Sequence, residues 1–231
     1  MNRNSNVYTV IYAAVMVIVV AAVLAFTALS LRPAQDKNVT IEKQRQLLSS
    51  INIASTAQDA EVLFDKYIPE SFVLNAKGEK VEGKSAFDIE VKSYYKLPDA
   101  DRLLPVFVAN IDGAKKYIFP MYGDGLWGPI WGYVSVDANG NTIYGAVFAH
   151  QGETAGLGAE IAKPKFSDQF KGKDLFYDNT FASIAVLKAG QMVENQESVD
   201  AISGGTITSA AVQSMLKNCL QPYESFLKSL K

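Results

Sequence analysis

The sequence has 231 residues, 22 Lys+Arg against 24 Asp+Glu, a formal net charge of −2 and 48% hydrophobic residues. With its apolar N-terminal segment set aside, that length supports one domain with a sizeable core, and the absence of a basic excess argues against a nucleic-acid partner. One cysteine, Cys219, excludes an intrachain disulfide, a CxxC redox pair and an all-cysteine cluster site; with a single histidine beside it, no metal site is expected.

In chain order, Val7 to Leu31 carries no charged residue and at helical rise covers roughly 37 Å, enough to cross a bilayer core of about 30 Å with some tilt. No small-residue cleavage site follows it, so it reads as an uncleaved anchor, with Tyr8 and Tyr12 suited to the interface. The expected division is residues 1–35 as tail and anchor and 36–231 as the globular domain. Arg3 flanks the anchor on one side and Arg32, Lys37, Lys43 and Arg45 on the other. By itself the positive-inside rule then puts the domain in the cytoplasm.

Beyond Asp36, the apolar residues Ile41, Leu47, Leu48 and Ile51 recur at helical intervals and predict a juxtamembrane helix. A second short helix is predicted over Thr56 to Tyr67, stopped by Pro69. Three tight-turn signals follow, each between apolar stretches: Asn75 to Gly78, Asp112-Gly113, and Ala138 to Asn141. Strands joined by tight turns, with helices gathered at both ends, predict an α+β domain with an antiparallel sheet and flanking helices. Val212, Met215, Leu216, Cys219 and Leu220 form one helical stripe, and Pro222 restarts a turn that leads to Tyr223, Phe226, Leu227 and Leu230.

Two glycine-rich strings precede that last helix. Gly123-Asp124-Gly125-Leu126-Trp127-Gly128 satisfies GxGxxG, yet Pro129 and a strand follow where a dinucleotide site needs a helix N-terminus. The plain reading is packing, with the glycines permitting a bulge or edge strand and Trp127, Trp131 and Tyr133 entering the core. The second string runs from His150 to Glu160 and includes Glu153, Thr154, Gly156, Leu157 and Gly158. It reads as a surface loop, or as a thin wall against a planar ring. Ser203, His150 and Asp200 raise a hydrolase triad, but no GxSxG elbow is present.

The most informative stretch is Asp200 to Ser209. Gly204 and Gly205 permit unusual backbone angles and close approach. Thr208 or Ser209 is placed to cap the following helix, whose free amides would face an anion. A capped turn alone is the plain alternative. The order Asp200, two residues, Ser203, Gly204, Gly205, Thr206 resembles the flavinylation motif of the FMN-carrying subunits of the sodium-translocating NADH:quinone reductase and its Rnf relatives, with Gly205 where Ala is usual. The string GDGLWGPIWGY is similar to a signature of the reductase branch, and GETAGLG to a loop shared by both branches, with Ala155 where Pro is often found.

The resemblance implies FMN joined through its phosphate to Thr206, with Asp200, Ser203, Gly204 and Gly205 as the signal read by a flavin transferase that uses FAD as donor. It implies flavin contacts from Glu153, Thr154, Gly156, Leu157 and Gly158, with Trp127, Trp131 and Thr208 nearby. It further implies an electron-relay subunit of a sodium-exporting quinone reductase, without an NADH or quinone site of its own. Its partners would be the other membrane and peripheral subunits, the transferase and membrane lipid. The resemblance places the domain on the periplasmic side of the bacterial inner membrane, against the charge rule, and the expectation follows the resemblance. The FMN-bearing G subunit of an Rnf-type ferredoxin:NAD oxidoreductase is the alternative among the flavinylated relatives. A membrane-anchored binding domain without cofactor is the alternative outside them.

Overall fold

The computed structural model describes residues 6–94, 97–98 and 101–231, so Arg3 lies outside the described residues. The chain divides between Lys43 and Gln44 into two compact units. The predicted anchor and juxtamembrane helix are one element, α1 (Asn6–Ser50), with Pro33 inside it. This helix is long and apolar enough to cross a membrane, and none of its most apolar stretch is buried. Ahead of Pro33, which has no N–H to donate, the Thr27 and Ser30 hydroxyls bond back to the Val23 and Phe26 carbonyls, each at 2.8 Å. Asn52, at φ 62°, closes the C-terminal end of α1 in the left-handed conformation that Asn tolerates.

In the unit from Gln44 onward, α2 (Ala60–Tyr67) begins later than predicted. Asp59 accepts hydrogen bonds from the Thr56 amide and hydroxyl, holding that segment in a turn before the helix. The three turn signals join strands as expected. β1 (Glu70–Leu74) and β2 (Lys80–Val81) flank the first, β3 (Leu104–Ile111) and β4 (Ala114–Asp124) the second, and β5 (Pro129–Asp137) and β6 (Ile143–His150) the third. All belong to one six-stranded antiparallel sheet ordered β2-β1-β3-β4-β5-β6.

Alternation along these strands supplies both faces. Leu104, Val106, Phe119, Met121, Ile130, Val134 and Phe148 join one core, while Phe107, Ala109, Ile118 and Tyr133 join the other with Leu47, Leu48 and Ile51. A register shift at Ser135/Val136 lets the chain pass Tyr144 without losing either face. The buried Ser135 hydroxyl donates to the Ser50 carbonyl at 2.5 Å, tying the last turn of α1 to β5.

A short helix, α3 (Val91–Tyr94), lies between β2 and β3; between β6 and the C-terminal helices lie α4 (Pro164–Ser167), the hairpin of β7 (Phe176–Tyr177) and β8 (Thr180–Phe181), and the parallel pair β9 (Ala185–Leu187) and β10 (Ser198–Asp200). α5 (Thr206–Leu220) then buries Val212, Met215, Leu216, Cys219 and Leu220 in the first core, the stripe predicted from the sequence. Each large apolar side chain so buried contributes about 1.5–3 kcal/mol. After Pro222, α6 (Glu224–Ser229) packs Leu227 into the same core, and the Tyr223 hydroxyl donates to the Pro105 carbonyl at 2.9 Å.

Candidate functional site

The start of α5 is set by two glycines. Gly204 takes φ +74°, and Gly205 is the N-cap at φ −109°, its carbonyl accepting from the Ser209 amide at 2.9 Å. Thr206 is therefore the first helical residue and is exposed. The amides of a helix's first turn have no acceptor within the helix. The expected cap at Thr208 or Ser209 lies inside the helix because both hydroxyls are engaged elsewhere. Ser209 Oγ accepts from the Ile202 amide at 3.0 Å, and Thr208 Oγ1 donates to Glu153 Oε2 at 2.5 Å. No acidic residue stands in the first turn of α5 itself.

Glu153 is 7% exposed. Its Oε1 accepts from the Trp127 amide at 2.9 Å, and its own amide donates to His150 Nδ1 at 3.2 Å. Burial raises the Glu153 pKa, but the hydrogen bonds from Thr208, Trp127 and Leu126, with the nearby His150, outweigh it and hold the group below its ordinary value. The surrounding glycines make room for this carboxylate. A Cβ on Gly125 would stand 2.6 Å from Glu153 Oε1, and one on Gly158 would collide with both Glu153 Oε2 and Thr208 Oγ1.

The glycine-rich loop closes on itself and on α5. The Thr154 carbonyl accepts from the Leu157 and Ala159 amides, each at 3.1 Å. Gly156, at φ +75°, donates to Glu160 Oε1 at 3.3 Å. Leu157 lies over Gly204, with Cδ2 at 2.7 Å from the position a Cβ there would occupy. Asp200 ends β10 and is clamped through its backbone, its amide donating to Gln169 Oε1 at 2.9 Å. Ser203 is exposed and, with Asp200, Gly156, Lys163 and Phe166, lines a groove of about 560 Å³.

The structure thus brings together Glu153, Gly158, Thr208, Gly204, Gly205, Leu157 and the Trp127 backbone. Trp131 is placed elsewhere: it follows the first-core residue Ile130 on β5, and its indole N–H donates to Gln46 Oε1 at 3.1 Å. The packing explanation for GDGLWG holds for Tyr133, which is buried, but not for Trp127, which is 68% exposed. Residues 125–128 are the tip of the β4–β5 hairpin, closed by the Gly125 amide on the Gly128 carbonyl at 2.8 Å; no helix N-terminus follows. Among the described residues no hydrogen bond joins His150 to Ser203 or Asp200, so the triad is not assembled. Leu126 and Ile207, both exposed, and Gln169 are site residues that sequence reasoning does not single out. The first two stand inside or beside the quoted motifs, where an apolar residue in a glycine-rich turn is the available signal.

Residues 125–221 match the family model described as the FMN-binding domain. The C subunit of the Na(+)-translocating NADH-quinone reductase of Vibrio vulnificus (strain YJ016) is 34% identical over 212 residues, covering 85% of this chain and 83% of that protein. Its counterpart from Haemophilus ducreyi is 30% identical over 234 residues, with coverage of 94% and 90%. The crystal structure of the C subunit from Parabacteroides distasonis ATCC 8503 superposes with a TM-score of 0.80 at 51% identity, covering 85% of this chain and 96% of that one. By the extent and identity of these matches, the chain belongs to the family of C subunits of the Na(+)-translocating NADH-quinone reductase.

Proposed function

We propose that this chain carries FMN in phosphoester linkage to Thr206 and serves as an electron-relay subunit of a sodium-translocating NADH:quinone reductase. The observation that carries the reading is the exposed Thr206 at the first position of α5, in a helix start shared with the two glycine-rich strings. Its residues fit a phosphate-linked flavin. The first-turn amides favour an anion by roughly 0.3–1 kcal/mol, Gly204 and Gly205 bring no side chain against it, and the exposed Trp127, Leu157 and Ile207 offer apolar surface for a planar ring. Glu153, Thr154, Gly156 and Gly158 shape the loop beside that surface, with Thr208 beneath it.

In the attachment step, Thr206 Oγ1 displaces AMP from the FMN phosphorus of FAD. One P–O bond forms as the pyrophosphate bond breaks, and the hydroxyl proton passes to a base of the Mg-dependent flavin transferase. Asp200, Ser203, Gly204 and Gly205 form the segment that enzyme reads. FMN, once attached, supplies the redox chemistry, and the protein supplies position and electrostatics. Electrons pass from a membrane iron–sulfur centre to a second flavin-bearing subunit, during quinone reduction coupled to sodium export. α1 anchors the chain once in the lipid of the inner membrane, and the domain of residues 36–231 lies on the periplasmic side.

Intact mass and in-gel fluorescence of denatured protein, coexpressed with a flavin transferase, test the linkage. The wild type gains the mass of FMN less water, and Thr206→Ala gains nothing and loses fluorescence; an unmodified wild type overturns the reading. For topology, protease added to intact spheroplasts cuts the chain after Arg32, and protection of that region refutes the periplasmic assignment.

A further inference from the structure

The Glu153 carboxylate collects hydrogen bonds from segments far apart in the chain. The Trp127 amide comes from the β4–β5 hairpin tip. The Thr208 hydroxyl comes from the first turn of α5, and the Glu153 amide is itself held by His150 at the end of β6. Three donors, one each from the hairpin, the loop and the helix, are thereby satisfied within one small region. The glycines at 125 and 158 leave space for the two carboxylate oxygens and not only for a ligand, since a Cβ at either place would run into them. The arrangement also places an acidic side chain at the start of a helix that has none of its own in its first turn. Two residues before Thr208 in the same turn stands Thr206.

We propose that Glu153 is the positioning residue of the site: its carboxylate latches the hairpin tip and the glycine-rich loop to the start of α5, fixing the walls around whatever is attached at Thr206 and setting the charge beneath them. This rests on the reading of Thr206 as the FMN-bearing residue. An anchored phosphoester fixes only one end of FMN. The latch acts on the other end by holding Trp127 and Leu157 at constant distance from Thr206, so that the ring meets a preformed surface. A fixed negative charge beside a redox group disfavours its gain of electrons.

Four full-length proteins separate these roles: wild type, Glu153→Gln, Thr208→Val and Thr208→Ser, each coexpressed with a flavin transferase. Denatured in-gel fluorescence reads attachment, steady-state flavin anisotropy in the folded protein reads confinement, and a redox titration reads the midpoint potential. Glu153→Gln is expected to load with flavin, to lose anisotropy and to raise the midpoint potential. It removes the charge and, with its oxygen kept on the Trp127 amide, turns an NH₂ that cannot accept towards the Thr208 hydroxyl, whose present donation is lost. Thr208→Val, which keeps the charge and the side-chain shape but drops one donor, is expected to lose anisotropy, with Thr208→Ser restoring it. Wild-type anisotropy and potential in loaded Glu153→Gln and Thr208→Val overturn the latch. Failure of Thr208→Ser to rescue overturns it as well, even if Glu153→Gln does not fold. A wild type without attached flavin instead overturns the reading of Thr206, a result the denatured gel reports separately.

Discussion

The Trp131 indole N–H donates to Gln46 Oε1 at 3.1 Å, joining the last two turns of α1 to β5, 85 residues away. This bond separates the two tryptophans of GDGLWGPIWGY into a structural residue and an exposed one. Trp131→Phe is expected to lower stability by about 1–2 kcal/mol through the lost hydrogen bond and packing, measured by urea unfolding. The absorption maximum of the attached flavin should stay unchanged. Trp127→Ala should do the reverse, leaving stability nearly intact and shifting the flavin spectrum.

Glu153 makes stability depend on acid. Its folded pKa is depressed below the ordinary 4.5, so its contribution is fully present above that value and is lost as pH falls through the lower folded pKa. Wild type should therefore exceed Glu153→Gln in unfolding free energy at pH 7, by about 1–3 kcal/mol. The difference should shrink below pH 4.5; chemical denaturation at pH 7, 5, 4 and 3 measures it, and a constant gap across that series would contradict the assigned pKa direction.

The glycines of the site differ in what a methyl group would do. At Gly205, φ −109° suits any residue, and an added Cβ meets Ile202 Cγ2 at 3.1 Å and the Gly158 amide nitrogen at 3.4 Å. Gly205→Ala should cost no more than about 1 kcal/mol and keep the flavin. At Gly158 the same methyl group strikes both ends of the Glu153–Thr208 bond. Gly158→Ala should cost about 1–3 kcal/mol and lower the anisotropy of the attached flavin; thermal melts and anisotropy of the two variants, run side by side, check the contrast.

Ser183 is 1% exposed, sits at φ 61°, and its hydroxyl makes no hydrogen bond. Ser183→Gly removes both the left-handed strain and the unpaired polar group, each worth about 1 kcal/mol or more. Against these, the greater freedom of glycine in the unfolded chain costs about 0.5–1 kcal/mol. A net gain of about 1 kcal/mol is expected in thermal unfolding.

The sheet is legible because its turns announce themselves: Asp112-Gly113 and Ala138 to Asn141 sit between apolar runs, and β3 through β6 pair across them in register. The α5 stripe is legible by period alone. The β7–β8 hairpin escapes the sequence reading although Asp178 and Asn179, both at positive φ, stand between Phe176-Tyr177 and Thr180-Phe181, the residue types a two-residue turn requires. The helix start lies three or four residues earlier than its hydroxyl residues suggest, because such side chains ordinarily cap. Here those hydroxyls bond partners that local sequence does not show, Thr208 to a carboxylate 55 residues away. For the same reason Glu153 is legible only as a loop residue. A long-range contact leaves no periodicity, and the glycines that make room for it read as room for a ligand.

The exposure of Trp127 gives the chain a built-in optical probe. With only two tryptophans present, the Trp131→Phe variant emits tryptophan light from position 127 alone. That light originates within the hairpin tip, whose backbone is tied through Glu153 to the helix that begins at Thr206. A flavin held there accepts indole emission by resonance energy transfer, so loading at Thr206 registers as lost tryptophan intensity in real time, without an added dye and with the protein folded.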